Sequence, residues 1–150
     1  MEIKQIHENF TVCKVADYSQ INLDSEYCFI GKTDEEKSLV CLTKECPSNT
    51  IEREDGWKAF RIEGVLDFSL TGILAKIANL LAERKIAIFA VSTFNTDYIL
   101  VKEEYEMKAL SRLAEAGYKI LTGNAYGDYF MNRSANDVMR EYAEQKDEWK

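Results

Sequence analysis

The order of the periodic segments between residues 57 and 121 constrains the fold of this chain more than any other feature. Residues 57–63, WKAFRIE, alternate between polar and apolar side chains, as a strand with one buried face does. Apolar residues then recur at helical spacing from residue 73 to about residue 84. Two short apolar runs follow, AIFAVS and YILV, with the polar sequence STFNTD between them. Both runs are too short for helices and predict a hairpin.

A second helical pattern and a last strand complete this unit. Apolar residues recur at helical spacing over residues 103–116, and Gly117 follows where a helix commonly ends in a left-handed residue. Residues 118–121 then predict a short strand. The order strand, helix, strand, strand, helix, strand is that of the ferredoxin-like βαββαβ fold, an α+β fold with both helices on one face of an antiparallel sheet. Because the hairpin strands are apolar on both faces, we expect the second face to be covered by the N-terminal part of the chain or by another copy.

The N-terminal third predicts an abbreviated version of the same unit. Three strand-like segments, FTVCKV, YCFIGKT and SLVCLT, lie within residues 9–43, and the gaps between them are too short for two full helices. We therefore predict an abbreviated unit in residues 1–52 and the main domain in residues 53–121, with CPSNTIEREDG as the linker. A weak internal repeat relates residues 29–40 to residues 89–101, since both place a short polar turn between two apolar runs.

Residues 122–150 lie outside this pattern and are predicted to form a loop and a helical extension. Ser134 and Asp137 resemble a capping box at the start of a helix. Apolar residues fall near one side of that helix, so it either packs on its own protein or binds a partner. The pattern leaves both alternatives open.

The charge and hydropathy of the chain exclude several classes of partner. Its 26 acidic and 19 basic residues give a formal net charge of -7, which argues against nucleic-acid binding. No segment approaches the roughly 18 apolar residues of a membrane span, and the N-terminal sequence does not resemble a secretion signal. We therefore expect a cytoplasmic protein that does not bind a membrane.

The residues that commonly carry catalysis or bind metals are sparse. The four cysteines contain no CxxC pair, and we expect them to be small buried apolar residues. His7 is the only histidine; it has no partner at ligand spacing, and we expect its N-terminal stretch to be mobile. Without a nucleophile paired with a histidine, or a glycine-rich phosphate loop, the sequence predicts no enzyme, no cofactor and no metal site.

Two loops are candidates for binding a small molecule. Residues 66–73, LDFSLTGI, lead into the first helix, whose free N–H groups and positive dipole end suit a carboxylate. The alternative is that Ser69 or Thr71 simply caps that helix. In the second loop, STFNTD, Asp97 lies where a buried strand begins and would bind a cationic group, or else the loop bonds only to itself. We expect the two loops to meet because the second strand of the unit should lie beside the first.

The combination of LDFSLTGIL with STFNTDYILV resembles the ACT-domain family. It is most similar to tandem ACT proteins related to aspartate kinase regulatory domains and to CASTOR-type cytosolic arginine sensors. The resemblance covers residues 57–121 well and residues 9–45 loosely. Thr71 and Gly72 stand where the family usually has Pro-Gly, and this chain has room for two ACT units where the sensors carry four. A homodimer would supply the missing pair.

The resemblance implies a non-enzymatic regulatory protein that binds an amino acid at an interface between ACT units. A carboxylate at Asp97 would favour a cationic amino acid such as arginine or lysine. The alternative function is a ligand-free oligomerisation or adaptor module that uses the C-terminal helix to bind a regulated protein. Carried over by motif position, the implied ligand contacts are Leu70, Thr71, Gly72, Ile73, Leu74, Thr93, Phe94, Thr96 and Asp97.

Overall fold

The computed structural model describes residues 1–64, 71–124, 127–128 and 131–132. Seven strands and two α-helices follow one another in this part of the chain, with short 3-10 turns at Thr43–Glu45 and Glu103–Tyr105. The elements are β1 (Glu2–Val15), β2 (Cys28–Lys32), β3 (Lys37–Leu42), β4 (Thr50–Ile62), α1 (Ile73–Ala82), β5 (Phe89–Ser92), β6 (Asp97–Lys102), α2 (Glu106–Glu115) and β7 (Lys119–Leu121).

The seven strands form a single sheet in the order β2-β3-β1-β4-β6-β5, with β7 parallel to the start of β1. The predicted βαββαβ unit is present as β4-α1-β5-β6-α2-β7. Two details differ from the expected arrangement. β6, not β5, lies beside β4, because the tight hairpin places β6 between them. β7 pairs with β1, because β1 runs antiparallel along β4 and occupies its other edge.

Strand β1 connects the N-terminal strands to the βαββαβ unit. Its first residues pair with β7, its last residues pair with β3, and it pairs with β4 over nearly its whole length. His7 lies in the middle of this strand, with its ring bonded to the Thr122 carbonyl, so the expectation of a mobile N-terminal stretch is wrong. The predicted linker is also wrong, because β4 already begins at Thr50 and includes its EREDG sequence.

The helices cover one face of the sheet. Ile77 and Leu81 of α1, together with Leu110 and Leu113 of α2, are fully buried there. They pack on the inward side chains of the central strands. The amphipathic spacing that predicted both helices is thus the spacing that buries one stripe of each. Helix α2 ends before Gly117, which has the left-handed backbone (φ 101°) expected for it.

On the second face of the sheet, side chains of the N-terminal strands pack against side chains of β5 and β6, although all these strands belong to one sheet. The ring centroids of Tyr98 on β6 and Phe29 on β2 are 5.0 Å apart, and Tyr27 also contacts Tyr98 at 6.3 Å. Phe10, Trp57 and Leu100 are buried beneath them. Of the two covers expected from the sequence, the structure therefore shows the chain's own N-terminal segment.

The predicted C-terminal helix from Ser134 onward lies outside the described residues, as does the capping pair. No helix in the described part of the chain is both long enough and apolar enough to cross a membrane. The boundary predicted between residues 52 and 53 falls within β4, and the division of the chain into three segments stays a prediction.

Candidate functional site

Helix α1 begins without a side-chain cap among the described residues. Gly72 occupies the capping position with φ 76°, a left-handed backbone that glycine adopts without steric cost. The Lys76 amide donates to the Gly72 carbonyl at 2.9 Å and starts the helical bonding. The first turn carries no acidic side chain. Thr71 does not cap the helix, and Ser69 lies outside the described residues. The amides of the first turn of α1 have no side-chain partner among the described residues and are therefore candidates to bind an anion.

A cavity of about 310 Å³ opens beside this helix start. Lys76 supplies a positive charge at its wall, and its ammonium lies 5.7 Å from the ring centroid of Tyr118. The uncapped helix end and the lysine together suit a ligand with a carboxylate. The cavity is lined by Met1, Thr71, Gly72, Ile73, Lys76, Ala116, Gly117 and Tyr118.

The hairpin turn between β5 and β6 is held by its own hydrogen bonds. The Thr93 amide and hydroxyl both donate to the Thr96 carbonyl at 2.9 Å. The Ser92 hydroxyl donates to the Asp97 carboxylate at 2.5 Å, and no other residue in the described part of the chain bonds that carboxylate. Asp97 is half-buried, and Phe94 is 78% exposed. The alternative of a self-bonded turn therefore describes the hairpin within one chain.

Thr96 fixes the hairpin to the end of β4. Its side chain is only 7% exposed, and its hydroxyl donates to the Ile62 carbonyl at 2.8 Å. Ile62 is the last residue of β4, from which the chain continues towards α1. The hairpin thus lies at the end of the sheet where β4 ends, and β6 rather than β5 connects it to β4.

The structure distributes the predicted site residues over three places. Thr71, Gly72 and Ile73 line the cavity, whereas Leu74 packs against the helical core. Thr93, Phe94, Thr96 and Asp97 lie in or beside the hairpin turn, and the cavity lining includes none of them. Leu70 lies outside the described residues.

Several cavity residues were missed by the sequence analysis. Lys76 lies one helical turn after Gly72, so the helical spacing alone could have suggested it. Met1 and Tyr118 come to the cavity because β1 pairs with β7, which local sequence patterns do not reveal.

The guanidinium of Arg61 lies near the hairpin but is already neutralised. It donates to the Glu63 carboxylate at 2.8 Å and to the Tyr98 hydroxyl at 3.4 Å. The bond to Glu63 is the main cause that raises the pKa of Arg61. Glu63 therefore already neutralises the positive charge of Arg61 at the end of β4. The cationic side chain in the cavity lining is Lys76.

The comparison with protein families identifies this fold. Residues 52–115 match the family described as the ACT domain. This part of the chain has the ACT-domain fold, with two helices on a predominantly antiparallel sheet. ACT domains are regulatory modules and often bind amino acids. No curated protein matches the chain.

Solved structures extend the similarity beyond the matched residues. Protein Atu0741 from Agobacterium tumefaciens shares 28% identity at a TM-score of 0.73, over 82% of this chain and 93% of that one. A Vibrio cholerae protein of unknown function, VC0802, shares 20% identity at a TM-score of 0.62, over 76% and 88% of the two chains. The ligand-free regulatory subunit of aspartate kinase from Thermus thermophilus shares 11% identity at a TM-score of 0.55, over 78% and 97%. The last two similarities show a shared fold.

Proposed function

We propose that this chain is a non-enzymatic regulatory module that binds a free amino acid between paired ACT units. The amides at the start of α1 receive the α-carboxylate of the ligand. The observation that carries the proposal is the start of α1, which has no side-chain cap among the described residues and opens onto a cavity flanked by Lys76. An anion placed there gains both hydrogen bonds and a favourable charge interaction.

A second copy of the chain supplies the rest of this site. Neighbouring strands lie about 4.8 Å apart, and β1 and β4 separate β7 from β6. A single amino acid therefore does not reach from the cavity beside Tyr118 to Asp97 in one chain. In a homodimer, the hairpin of one chain contributes Thr93, Phe94 and Asp97 to the ligand held by the other.

The charge at Asp97 determines the preferred class of ligand. Its carboxylate has only the Ser92 hydroxyl as a partner in the described part of the chain, so it retains the capacity to accept further hydrogen bonds. A guanidinium or ammonium group would pair with it. We therefore expect a cationic amino acid, arginine or lysine, as the resemblance to arginine sensors also suggests.

The regulatory effect follows from differential affinity. A ligand that contacts two chains stabilises the paired state only to the extent that it binds that state more tightly than the single chain. The ligand would thereby shift the dimer equilibrium or the choice of a regulated protein partner.

Thermal unfolding in the presence of each of the twenty amino acids tests this proposal. A ligand at 100 times its dissociation constant adds about 2.7 kcal/mol to stability, which raises the midpoint by several degrees. We expect arginine or lysine to do so. If none of the twenty moves the midpoint, the proposal is wrong.

A matched pair of substitutions at Gly72 separates ligand binding from folding. Gly72→Asp places a negative charge beside the α1 amides, whereas Gly72→Asn places a neutral group of the same shape there. Both strain the left-handed backbone alike, and a new Cβ at this position has no described atom within 4 Å. We expect the Asp variant to lose the ligand-induced shift and the Asn variant to retain at least part of it. Equal responses would remove the helix start from the site.

A further inference from the structure

Three of the four cysteines form a cluster on the N-terminal side of the sheet. Their sulfur atoms all lie within 4.8 Å of one another. Cys13 and Cys41 are 4% and 5% exposed, and Cys46 is half-buried. All three are free thiols.

The sheet register explains why these residues meet. Cys13 on β1 pairs with Leu39, and Cys41 on β3 pairs with Thr11, so the two cysteines are diagonal neighbours on one face. After β3 the chain turns through Thr43–Glu45, and the Cys46 amide donates to the Thr43 carbonyl at 3.2 Å. This turn brings the third thiol back to that face. The cluster is therefore assembled by tertiary structure, which is why the absence of a CxxC pair gave no sign of it.

The spacing of the sulfur atoms suits a metal ion. A thiolate binds zinc at about 2.3 Å, which places the sulfur atoms of one coordination sphere about 4 Å apart. A separation within 4.8 Å needs only small side-chain rotations to reach that geometry. Three thiolates are a soft ligand set that selects Cu⁺ or Zn²⁺ over the harder divalent cations.

The surroundings of the cluster also favour such an ion. Apolar side chains, including Val15, Leu39 and Ile21, pack around the thiols and limit access of water. The guanidinium of Arg53 interacts favourably with the thiolate forms of Cys13 and Cys46 and would offset part of the negative charge of a thiolate cluster.

We propose that Cys13, Cys41 and Cys46 form a binding site for one thiophilic metal ion. The three thiolates would hold Cu⁺ in trigonal coordination, or Zn²⁺ with a water molecule as the fourth ligand on the more exposed side of Cys46. The site is distinct from the cavity beside α1 and does not depend on the proposed amino-acid ligand. The ion would tie β1 to β3 and to the segment after β3, so binding would stabilise the N-terminal strands.

Titration of the reduced full-length chain with Zn²⁺, and separately with Cu⁺ under anaerobic conditions, tests the site. We expect one ion to bind per chain in the presence of a competing chelator. Binding should be accompanied by a thiolate-to-metal charge-transfer band in the ultraviolet absorption spectrum. Cys46→Ser should weaken binding at least roughly 100-fold, more than the loss of an outer-shell partner causes. Cys28→Ser is the matched control, because Cys28 faces Cys41 in the register but is not a member of the cluster. It should bind like wild type.

X-ray absorption of the metal-loaded wild-type chain gives a second readout that does not depend on the folding of any variant. Three sulfur neighbours per ion would support the assignment. Failure of both metals to bind, fewer than three sulfur neighbours, or wild-type affinity in Cys46→Ser would overturn it. Four sulfur neighbours, or an equal loss of affinity in Cys28→Ser, would place Cys28 in the site and overturn the three-thiolate assignment.

Discussion

At the scale of single residues, the buried hydroxyl of Thr96 positions the hairpin that carries Asp97. The hydroxyl donates to the Ile62 carbonyl, the last carbonyl of β4, in a place that water does not reach. A buried carbonyl that loses its donor pays the full cost of desolvation, which is larger than the net gain from a typical hydrogen bond. The geometry at this end of the sheet therefore depends on one side chain.

We expect Thr96→Val to lower the free energy of unfolding by about 1–3 kcal/mol, because valine has the same shape but no donor. Urea denaturation measures the change. Thr93→Val is the matched control: Thr93 is exposed, so water replaces its lost bond to the Thr96 carbonyl and the cost stays smaller. A larger loss at Thr93 than at Thr96 would contradict the structure of the hairpin.

Asp55 marks an irregularity in the pairing of β1 with β4. Between the pairs Phe10–Trp57 and Val12–Glu54, two residues of β4 oppose Thr11, and the second of them, Gly56, has a φ of 84° that favours glycine. The Thr11 hydroxyl donates to the Asp55 carboxylate at 2.6 Å, and the Arg53 guanidinium donates to it at 2.9 Å. The bond from Thr11, followed by the bond from Arg53, holds the pKa of Asp55 below its usual value.

This lowered pKa predicts a pH dependence of stability. The folded carboxyl releases its proton at lower pH than the unfolded one, so between the two pKa values the unfolded chain binds more protons. Its contribution is complete above the unfolded pKa of about 3.9 and disappears as the pH falls through the lower folded value. Unfolding free energies of wild type and Asp55→Asn should therefore converge below about pH 4. A difference that stays constant between pH 7 and pH 2 would show that Asp55 is not the titrating group.

At the scale of elements, the two hairpins confirm the weak internal repeat. Phe29 pairs with Val40 across β2 and β3, as Phe89 pairs with Leu100 across β5 and β6. Both turns are closed by a threonine amide that donates over 2.9 Å, from Thr33 to the Glu36 carbonyl and from Thr93 to the Thr96 carbonyl. Each second strand then leads directly into a 3-10 turn. The repeat was visible in the sequence because its pattern is local.

The contact between the repeated hairpins predicts how much the N-terminal strands stabilise the sheet. Tyr98 packs its ring against Phe29 and Tyr27 on the second face. We expect Tyr98→Ala to cost about 2–3 kcal/mol of unfolding free energy, since it removes a half-buried aromatic ring. Tyr98→Phe keeps the ring and should cost less than about 1 kcal/mol, because the bond from Arg61 is long.

Chemical denaturation of the two Tyr98 variants distinguishes ring packing from the hydroxyl. Similar losses in both would assign the stability to the hydroxyl. No loss in Tyr98→Ala would mean that the N-terminal strands do not stabilise this face.

The elements that the sequence predicted well are those with a clear local period. Both helices, the hairpin strands and the left-handed Gly117 follow from spacing alone. Strand β1 was recognised only in its second half, since His7, Glu8 and Asn9 interrupt its apolar pattern. Its full length depends on pairing with β4, β7 and β3, which are far away in sequence.

The residues of the candidate site also divide into those that local sequence predicts and those that depend on contacts between distant strands. Gly72 and the hairpin turn could be predicted because turn and helix-start residues carry local signals. The cavity beside Tyr118 and the cysteine cluster could not, since each requires a contact between distant strands. The sequence therefore predicted the two loops, but it did not predict that Met1 and Tyr118 complete the cavity beside the start of α1.

At the scale of the whole molecule, β1 makes the N-terminal strands and the ACT domain one folding unit. The N-terminal strands cannot separate without breaking the pairing of β1 with β4 and exposing the second face of the sheet. We expect a single unfolding transition, with equal calorimetric and van't Hoff enthalpies. Two resolved transitions in differential scanning calorimetry would show instead that the units fold independently.

The central claim is that the start of α1 in one chain and the hairpin of a second chain hold the same amino acid. Gly72→Asp and Asp97→Asn should each abolish binding of the ligand found in the thermal screen. Isothermal titration of an equilibrated one-to-one mixture of the two variants tests the claim most directly, because mixed dimers contain one intact site. Random pairing of chains should restore roughly one site in four at wild-type affinity. A mixture that stays silent, or Asp97→Asn binding as tightly as wild type by itself, would contradict the claim.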